Sequence, residues 1–509
     1  MTEPETSDRS RRLRSPLASA APETVQAAAT AAPRMTFAQN VRRIAPLAWP
    51  VFVGQLAVLA FATVDTVLIA HYGALDLAAL AVGAAAYTSV FVGLMGVVLA
   101  VGPIAGQLFG ARRLHEAGAQ LHEAIWLALA LSVLGCALLL MPQPFLALSR
   151  AEPEVAARVR DYLAVLALAL PAALLFTAFR GFSIAVSRPL AVMALQLGGL
   201  ALKVPLSVLL IHGFALPLGG GRVPALGLAG CGVATAIAMW MQCAAAFALL
   251  RRDAFYAPFG LHRSGLLRPR AAAQRALLAL GVPMGLSIAV EITAFTFMSL
   301  FVARLGALQV AGHQLAINLV SMMFMMPMAI GMACATLVAQ RLGASDGRDA
   351  RRLGWHGMQL GVAIAAAMGA AAYLAREPLL AIYTRDRAVI AVALPLLAWV
   401  MLFHVGDAAQ VIAANVLRAY HLATLPMLIY VAALWGVGIG GGYLLAFDAT
   451  GYAPDALRGT PGYWAAFTLG ISIAAALLCV LLAWVLVVRR REERAARSGV
   501  QAGGDAVPG

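Results

Sequence analysis

Residues 276–303 read ALLALGVPMGLSIAVEITAFTFMSLFVA, an apolar run whose single charged residue is Glu291. A helical membrane span needs about 20 apolar residues, and in lipid the backbone must satisfy its polar groups within the segment. The run therefore specifies a transmembrane helix. Similar Ala/Leu/Val-rich runs recur along the 509-residue chain, which is 62% hydrophobic and 12% charged, with a mean hydropathy of +0.85. Soluble domains lie nearer 45–50% apolar and about 25% charged. Ten-residue alternating strands are absent from the pattern, which excludes a β-barrel. The fold class is an all-α polytopic membrane protein.

Apolar windows between charged or Gly/Pro-rich breaks number twelve: 44–70, 80–103, 118–141, 162–180, 189–212, 227–250, 276–303, 309–338, 354–375, 388–411, 423–446 and 463–488. Placing alternate loops on opposite sides sends most of the 37 Lys and Arg residues to one side. That side holds both termini and the 251–275 loop, and the positive-inside rule makes it cytoplasmic. The expected organisation is a disordered cytoplasmic tail (1–40), a six-helix lobe (41–250), a cytoplasmic inter-lobe loop (251–275), a second six-helix lobe (276–490) and a C-terminal tail (491–509). The stretch 1–34 has no apolar h-region and so does not resemble a cleaved signal peptide.

One constant shift along the chain superimposes Pro50 on Pro283, Gly73-Ala74-Leu75 on Gly306-Ala307-Leu308, Gln107 on Gln340 and Gly110-Ala111 on Gly343-Ala344. Further on, a slip of five residues aligns Phe179-Arg180-Gly181-Phe182 with Leu417-Arg418-Ala419-Tyr420. An even number of spans per half makes the repeats parallel, related by an axis along the membrane normal. Transporters use such halves as rocking units around a site between them.

All but three of the 23 acidic residues fall in tails, loops or span ends. Asp65, Glu291 and Asp407 lie inside spans, where a charge costs about 2.5–3.5 kcal/mol on insertion scales. Such residues are expected to face a cavity and to exchange a proton or a cation there. The repeat does not share them: Asp65 falls on Met298, and Glu291 on Val58. Glu291 shares a helix face with Phe295 and Met298, and Asp407 is flanked by Phe403, His404 and Gln410. His404 is either a proton partner of Asp407 or an interhelical hydrogen-bonding group. Lys203, the only lysine, is about 15 Å from the turn at Gly213, and Asp65 about 12 Å from its own turn at Gly73. Similar depth in one lobe predicts a Lys203–Asp65 pair.

The methionine-rich run 322–328 suits a surface for varied apolar ligands and equally suits core filling, with Met325 a candidate for the cavity wall. Pro327 is expected to kink or break its span. His313, Gln314 and Asn318 are expected to face water. The net charge of +14 does not indicate a nucleic-acid partner, because the basic residues punctuate apolar runs. Cys136, Cys231, Cys243, Cys334 and Cys479 lie in apolar segments without metal spacing. No nucleophile–base or metal motif points to an enzyme, and no resident cofactor is expected.

In order along residues 40–490, the chain carries Pro50, Val64-Asp65-Thr66, Gln107-x-x-Gly110-Ala111, Glu291-x-x-x-Phe295, Ala311-x-His313-Gln314, Met325-x-Pro327-Met328, Gln340-x-x-Gly343-Ala344 and Asp407-Ala408-x-Gln410-Val411. With twelve spans, this set resembles the multidrug and toxic compound extrusion (MATE) transporters, NorM-like branch. The resemblance implies two lobes around a central cavity and alternating access. It implies antiport of amphiphilic organic cations against protons or sodium, by a monomer in the bacterial inner membrane. The family's first-lobe aspartate matches Asp65, and its second-lobe acids match Glu291 and Asp407, where a sodium ion is the alternative to a proton. Lys203 stands where relatives commonly have asparagine, which puts a first-lobe metal site in doubt. Phe403 stands where a tyrosine is common, which removes an oxygen ligand. Both departures favour protons. The rival reading is a lipid-linked oligosaccharide flippase on a related scaffold, whose cavity is expected to be more cationic.

Overall fold

The structure, a computed structural model, describes residues 35–149, 152–215, 222–262 and 265–504. Among the described residues, twelve helices are long and apolar enough to cross a membrane: α1 (Phe37–Tyr72), α2 (Ala74–Gly110), α3 (Leu114–Leu140), α4 (Pro153–Ala185), α5 (Pro189–His212), α6 (Gly227–Arg252), α7 (Ala271–Ala303), α8 (Ala307–Gly343), α9 (Gly347–Leu374), α10 (Arg387–Ala419), α11 (Thr424–Ala446) and α12 (Thr460–Arg490). Each matches an expected window, most of them lengthened by a few polar or small residues at the ends. Helix α2 is broken near Leu99-Ala100, and the middle of α11 is π-helical over Val431–Gly441. Helix α8 runs unbroken through Pro327, so of the expected kink or break the break does not occur.

Local chemistry sets the ends. Thr36 and Gln39 form a reciprocal capping box ahead of α1, with each side chain accepting from the other's backbone N–H. The chain is therefore helical from Phe37, inside the stretch expected to be a tail; residues 1–34 lie outside the described part. Helix α12 likewise continues to Gly504, beyond the expected boundary at 490.

The repeat is written in the backbone. Arg112 and Ser345, related by the same shift as Pro50 and Pro283, both turn out of their helices with φ 59°. Ser187 (φ 63°) matches His421 (φ 59°) at a spacing one position longer. Helices α4 and α10 end at Ala185 and Ala419, at that same longer spacing. The register thus slips by one position, not five. The alignment of Arg180 with Arg418 matched common apolar neighbours; the position equivalent to Arg418 is Ile184.

Two apolar cores result. One gathers residues of α1–α6 and the first turns of α7, and the other gathers residues of α7–α12 with Ile44 and Ala48 from the start of α1. Helices α1 and α7 thus begin against the opposite half. Helix α7 is tied there by Glu123 of α3, a buried carboxylate that accepts from the Arg270 backbone N–H (3.0 Å) and from Gln274 Nε2 (2.8 Å). Glu123→Ala removes the charged acceptor of both donors and leaves Gln274 Nε2 only the backbone carbonyl of residue 123, at a cost of about 1.5–3 kcal/mol; the expected result is a lower melting temperature in detergent, with an unchanged value counting against the tie.

The lobes are joined at the end of the bundle where α1 begins and α12 leaves its span. Gln107 Nε2 donates to the Ala419 carbonyl at 2.8 Å, and Gln340 Nε2 donates to the Ala185 carbonyl at 2.7 Å and to Ser187 Oγ at 2.8 Å. Gly110 rests on the Gln340 carbonyl and Gly343 on that of Gln107, so closely that a Cβ at either position would overlap it. The repeated Gln-x-x-Gly motifs are two halves of one seam. Arg43–Asp349 (2.9 Å) and Asn40–His356 (2.7 Å) join the same end.

Candidate functional site

Between the lobes lies a cavity of about 580 Å³ with walls from α2, α4, α7, α8, α10 and α11. Its lining is mostly apolar, including Met95, Phe295, Met325, Met328 and Met332, with Glu291 and Asp407 as its two carboxylates. Glu291 sits just over two turns beyond Pro283 on α7, and Asp407 sits in the second half of α10.

One amide links the two acids. Gln410 Nε2 lies 2.9 Å from Asp407 Oδ1 and 3.5 Å from Glu291 Oε1. His404 and Gln410 flank Asp407 at i−3 and i+3, about 60° to either side on the helix. The carboxylate bonds to Gln410. The His404 imidazole is fully buried with neither nitrogen hydrogen-bonded among the described residues, so the expected carboxylate–imidazole pair is not formed. Gln410→Leu removes the shared donor while keeping the volume. We expect a several-fold loss of coupled transport at normal expression; unaltered coupling would show the amide to be incidental.

The sequence makes Phe295, Met298, His313, Gln314, Asn318, Met325, Phe403 and Gln410 candidates for the cavity wall, and the structure sorts them. Phe295, Gln314 and Met325 line it. Met298, His313 and Phe403 are fully buried behind the wall. Phe403 packs between Phe295 and Trp464, at ring separations of 5.9 and 6.0 Å. The His313 ring meets Ser299 Oγ at 3.0 Å instead of facing water. Gln410 is buried and reaches the cavity only through the carboxylates it holds. Asn318 is exposed beside Gln314 and is not part of the lining. Of the methionine run, Met325 and Met328 line the cavity, Met323 is core and Met322 is exposed.

Asp65 is the larger correction. It does not line the cavity; it is buried inside the first lobe, and its repeat partner Met298 is likewise buried inside the second. Lys203 Nζ lies 2.7 Å from Asp65 Oδ2, with the Phe61 carbonyl at 3.3 Å and the Phe61 ring centroid at 4.4 Å. The expected pair is formed.

Two arginines lie deeper in the spans than the expected windows put them: Arg180 ends the window 162–180 and Arg418 falls beyond 388–411, yet both lie within helices α4 and α10. Arg418 lines the cavity. Arg180 is buried, donating to Gln55 Oε1 at 3.3 Å and to Met95 Sδ at 3.3 Å. The signal was present, since Phe179-Arg180-Gly181-Phe182 sets the charge among aromatic residues. Among the described residues, no group of three or more His, Cys, Asp or Glu side chains could hold a metal ion.

Two parallel six-helix lobes, sealed at one end around an apolar cavity with paired carboxylates, define a secondary transporter. The MatE family model matches residues 50–209 and 283–444, two segments that begin at the repeat-related prolines Pro50 and Pro283. The chain is 40% identical to the probable multidrug resistance protein NorM of Aromatoleum aromaticum over 448 residues, 88% of this chain and 94% of that protein. It is 33% identical to the multidrug resistance protein PmpM of Pseudomonas aeruginosa, covering 87% and 91% of the two chains. Among solved structures, the eukaryotic MATE transporter AtDTX14 superimposes with a TM-score of 0.78 at 20% identity, over 90% of this chain and 99% of that one. An outward-facing multidrug resistance MATE transporter also gives 0.78, at 16% identity, over 89% and 97%. The chain belongs to the multidrug and toxic compound extrusion family, in its NorM-like branch.

Proposed function

We propose that this protein exports amphiphilic organic cations from the cytoplasm by alternating access, in exchange for protons. The observation that carries the proposal is the pair Glu291 and Asp407 on the wall of an apolar inter-lobe cavity. Deprotonated, they attract a cation whose apolar body lies against Phe295 and the methionines. Protonated from outside, they release it. Antiport requires this difference in affinity between two states.

Three features favour protons over sodium. Gln410 turns its amide N–H groups, not its oxygen, toward both carboxylates. Phe403 offers no oxygen, and Arg418 adds a fixed cation to the cavity wall. Sodium needs oxygen ligands, whereas a proton needs one carboxylate. The excess of Lys and Arg at the sealed end supports placing both termini in the cytoplasm, so the seal faces inward in this state. NorM relatives of bacterial origin support the inner membrane as its location. A single chain supplies both lobes of the cavity, which supports a working monomer in the bilayer.

Efflux from proteoliposomes with a proton gradient and a sodium gradient imposed separately tests this. The proton gradient alone is expected to drive drug export; export driven only by sodium overturns the coupling.

A further inference from the structure

We propose that Lys203 is a built-in counter-ion of the first lobe: its ammonium occupies the seat beside Asp65 that a dissolved cation would otherwise fill, and this confines ion exchange to the second lobe. The inference deepens the proton-coupled reading above and rests on it.

The geometry closes around the ammonium. Lys203 is 1% exposed and Asp65 7%. An ammonium has three donors and no acceptor. Here one direction meets Asp65 Oδ2, a second the Phe61 carbonyl, and the ring of Phe61 lies alongside as a cation–π surface. Helices α1 and α5, which carry the pair, pack directly against each other. The pair lies outside the inter-lobe cavity, so a substrate in the cavity does not touch it.

A tethered ammonium is held beside its partner at an effective concentration of millimolar or more. A free cation displacing it would leave a buried ammonium without its anion. The Lys203–Asp65 pair is therefore charge-neutral without any ion from solution. The second lobe is arranged differently: Glu291 and Asp407 share one neutral amide, and neither has a Lys or Arg nitrogen within ion-pair distance among the described residues. Of the three acids placed inside the spans, only Glu291 and Asp407 are free to gain and lose a cation during the cycle.

Dicyclohexylcarbodiimide attacks protonated carboxyls in apolar surroundings, and peptide mass mapping locates its adducts. In the purified full-length protein, adducts are expected at Glu291 and Asp407 and not at Asp65. In Lys203→Met the lone carboxylate must take up a proton, and an adduct at Asp65 is expected to appear. An adduct at Asp65 in the unaltered protein overturns the proposal. Independently, the charge-neutral variant Asp65→Asn/Lys203→Met in proteoliposomes is expected to keep drug-dependent proton uptake within about twofold of the unaltered protein. A tenfold loss, in a variant that still binds drug, places a coupling ion in the first lobe and overturns the proposal. Failure of the proton-coupled reading itself shows elsewhere, as export that ignores an imposed proton gradient.

Discussion

Glu291→Gln combined with Asp407→Asn is expected to abolish drug-dependent proton uptake in vesicles, a fall of at least tenfold, while the protein still folds. Each substitution removes a proton-binding oxygen without changing side-chain volume. The Gln410 amide still has an oxygen to donate to at both positions. The apolar cavity wall is untouched, so residual binding of uncharged amphiphiles is expected to persist. The single variants are expected to differ from one another. Glu291 comes from α7 and Asp407 from α10, so losing either leaves the other acid on the cavity wall. Proton uptake at the original level in the double variant would remove these acids from the coupling mechanism.

The second large effect is expected at the seam. Gly110→Val and Gly343→Val each place a branched side chain against a helix-end carbonyl with no room for a Cβ. Overpacking typically costs about 1–3 kcal/mol, which shifts a two-state balance by about 5- to 150-fold. Because the contact joins the lobes, the cost falls on the state sealed at this end, and the fold of either lobe is spared. Export is expected to fall by about fivefold or more for either variant. Crosslinking between Arg43→Cys and Asp349→Cys, across the same seam, is expected to fall with it. Normal crosslinking and normal export in Gly343→Val would show that the close approach is not needed for the cycle.

Spans were legible in the sequence because lipid imposes a local demand. A run such as 276–303 has no soluble alternative, whatever its neighbours do. The repeat was legible where its landmarks were scarce residue types, as with Pro50/Pro283 and Gln107/Gln340. It misled where they were common ones, as with the apolar neighbours of Arg180 and Arg418. The depth of Lys203 and Asp65 followed from counting residues to the nearest turn, which suffices for a pair on adjacent helices of one lobe.

Rotation about the helix axis was not legible. A helix that is apolar nearly all round marks no face, so lipid, lobe core and cavity wall are indistinguishable along α7, α8 and α10. Hence Met298, His313 and Phe403 were expected at the cavity and lie in the core, and Asp65 was expected beside a cavity and lies within a lobe. The run 276–303 shows both sides of this. By itself it determined a membrane helix with one carboxylate at mid-depth, because transfer to lipid depends on composition and length. Only the tertiary structure decided that Glu291 faces the cavity while Met298, two turns on, does not, and that the amide of Gln410 on another helix serves Glu291 and Asp407 together. Those facts depend on how separate helices pack, and packing is a property of the assembled bundle, not of any one segment.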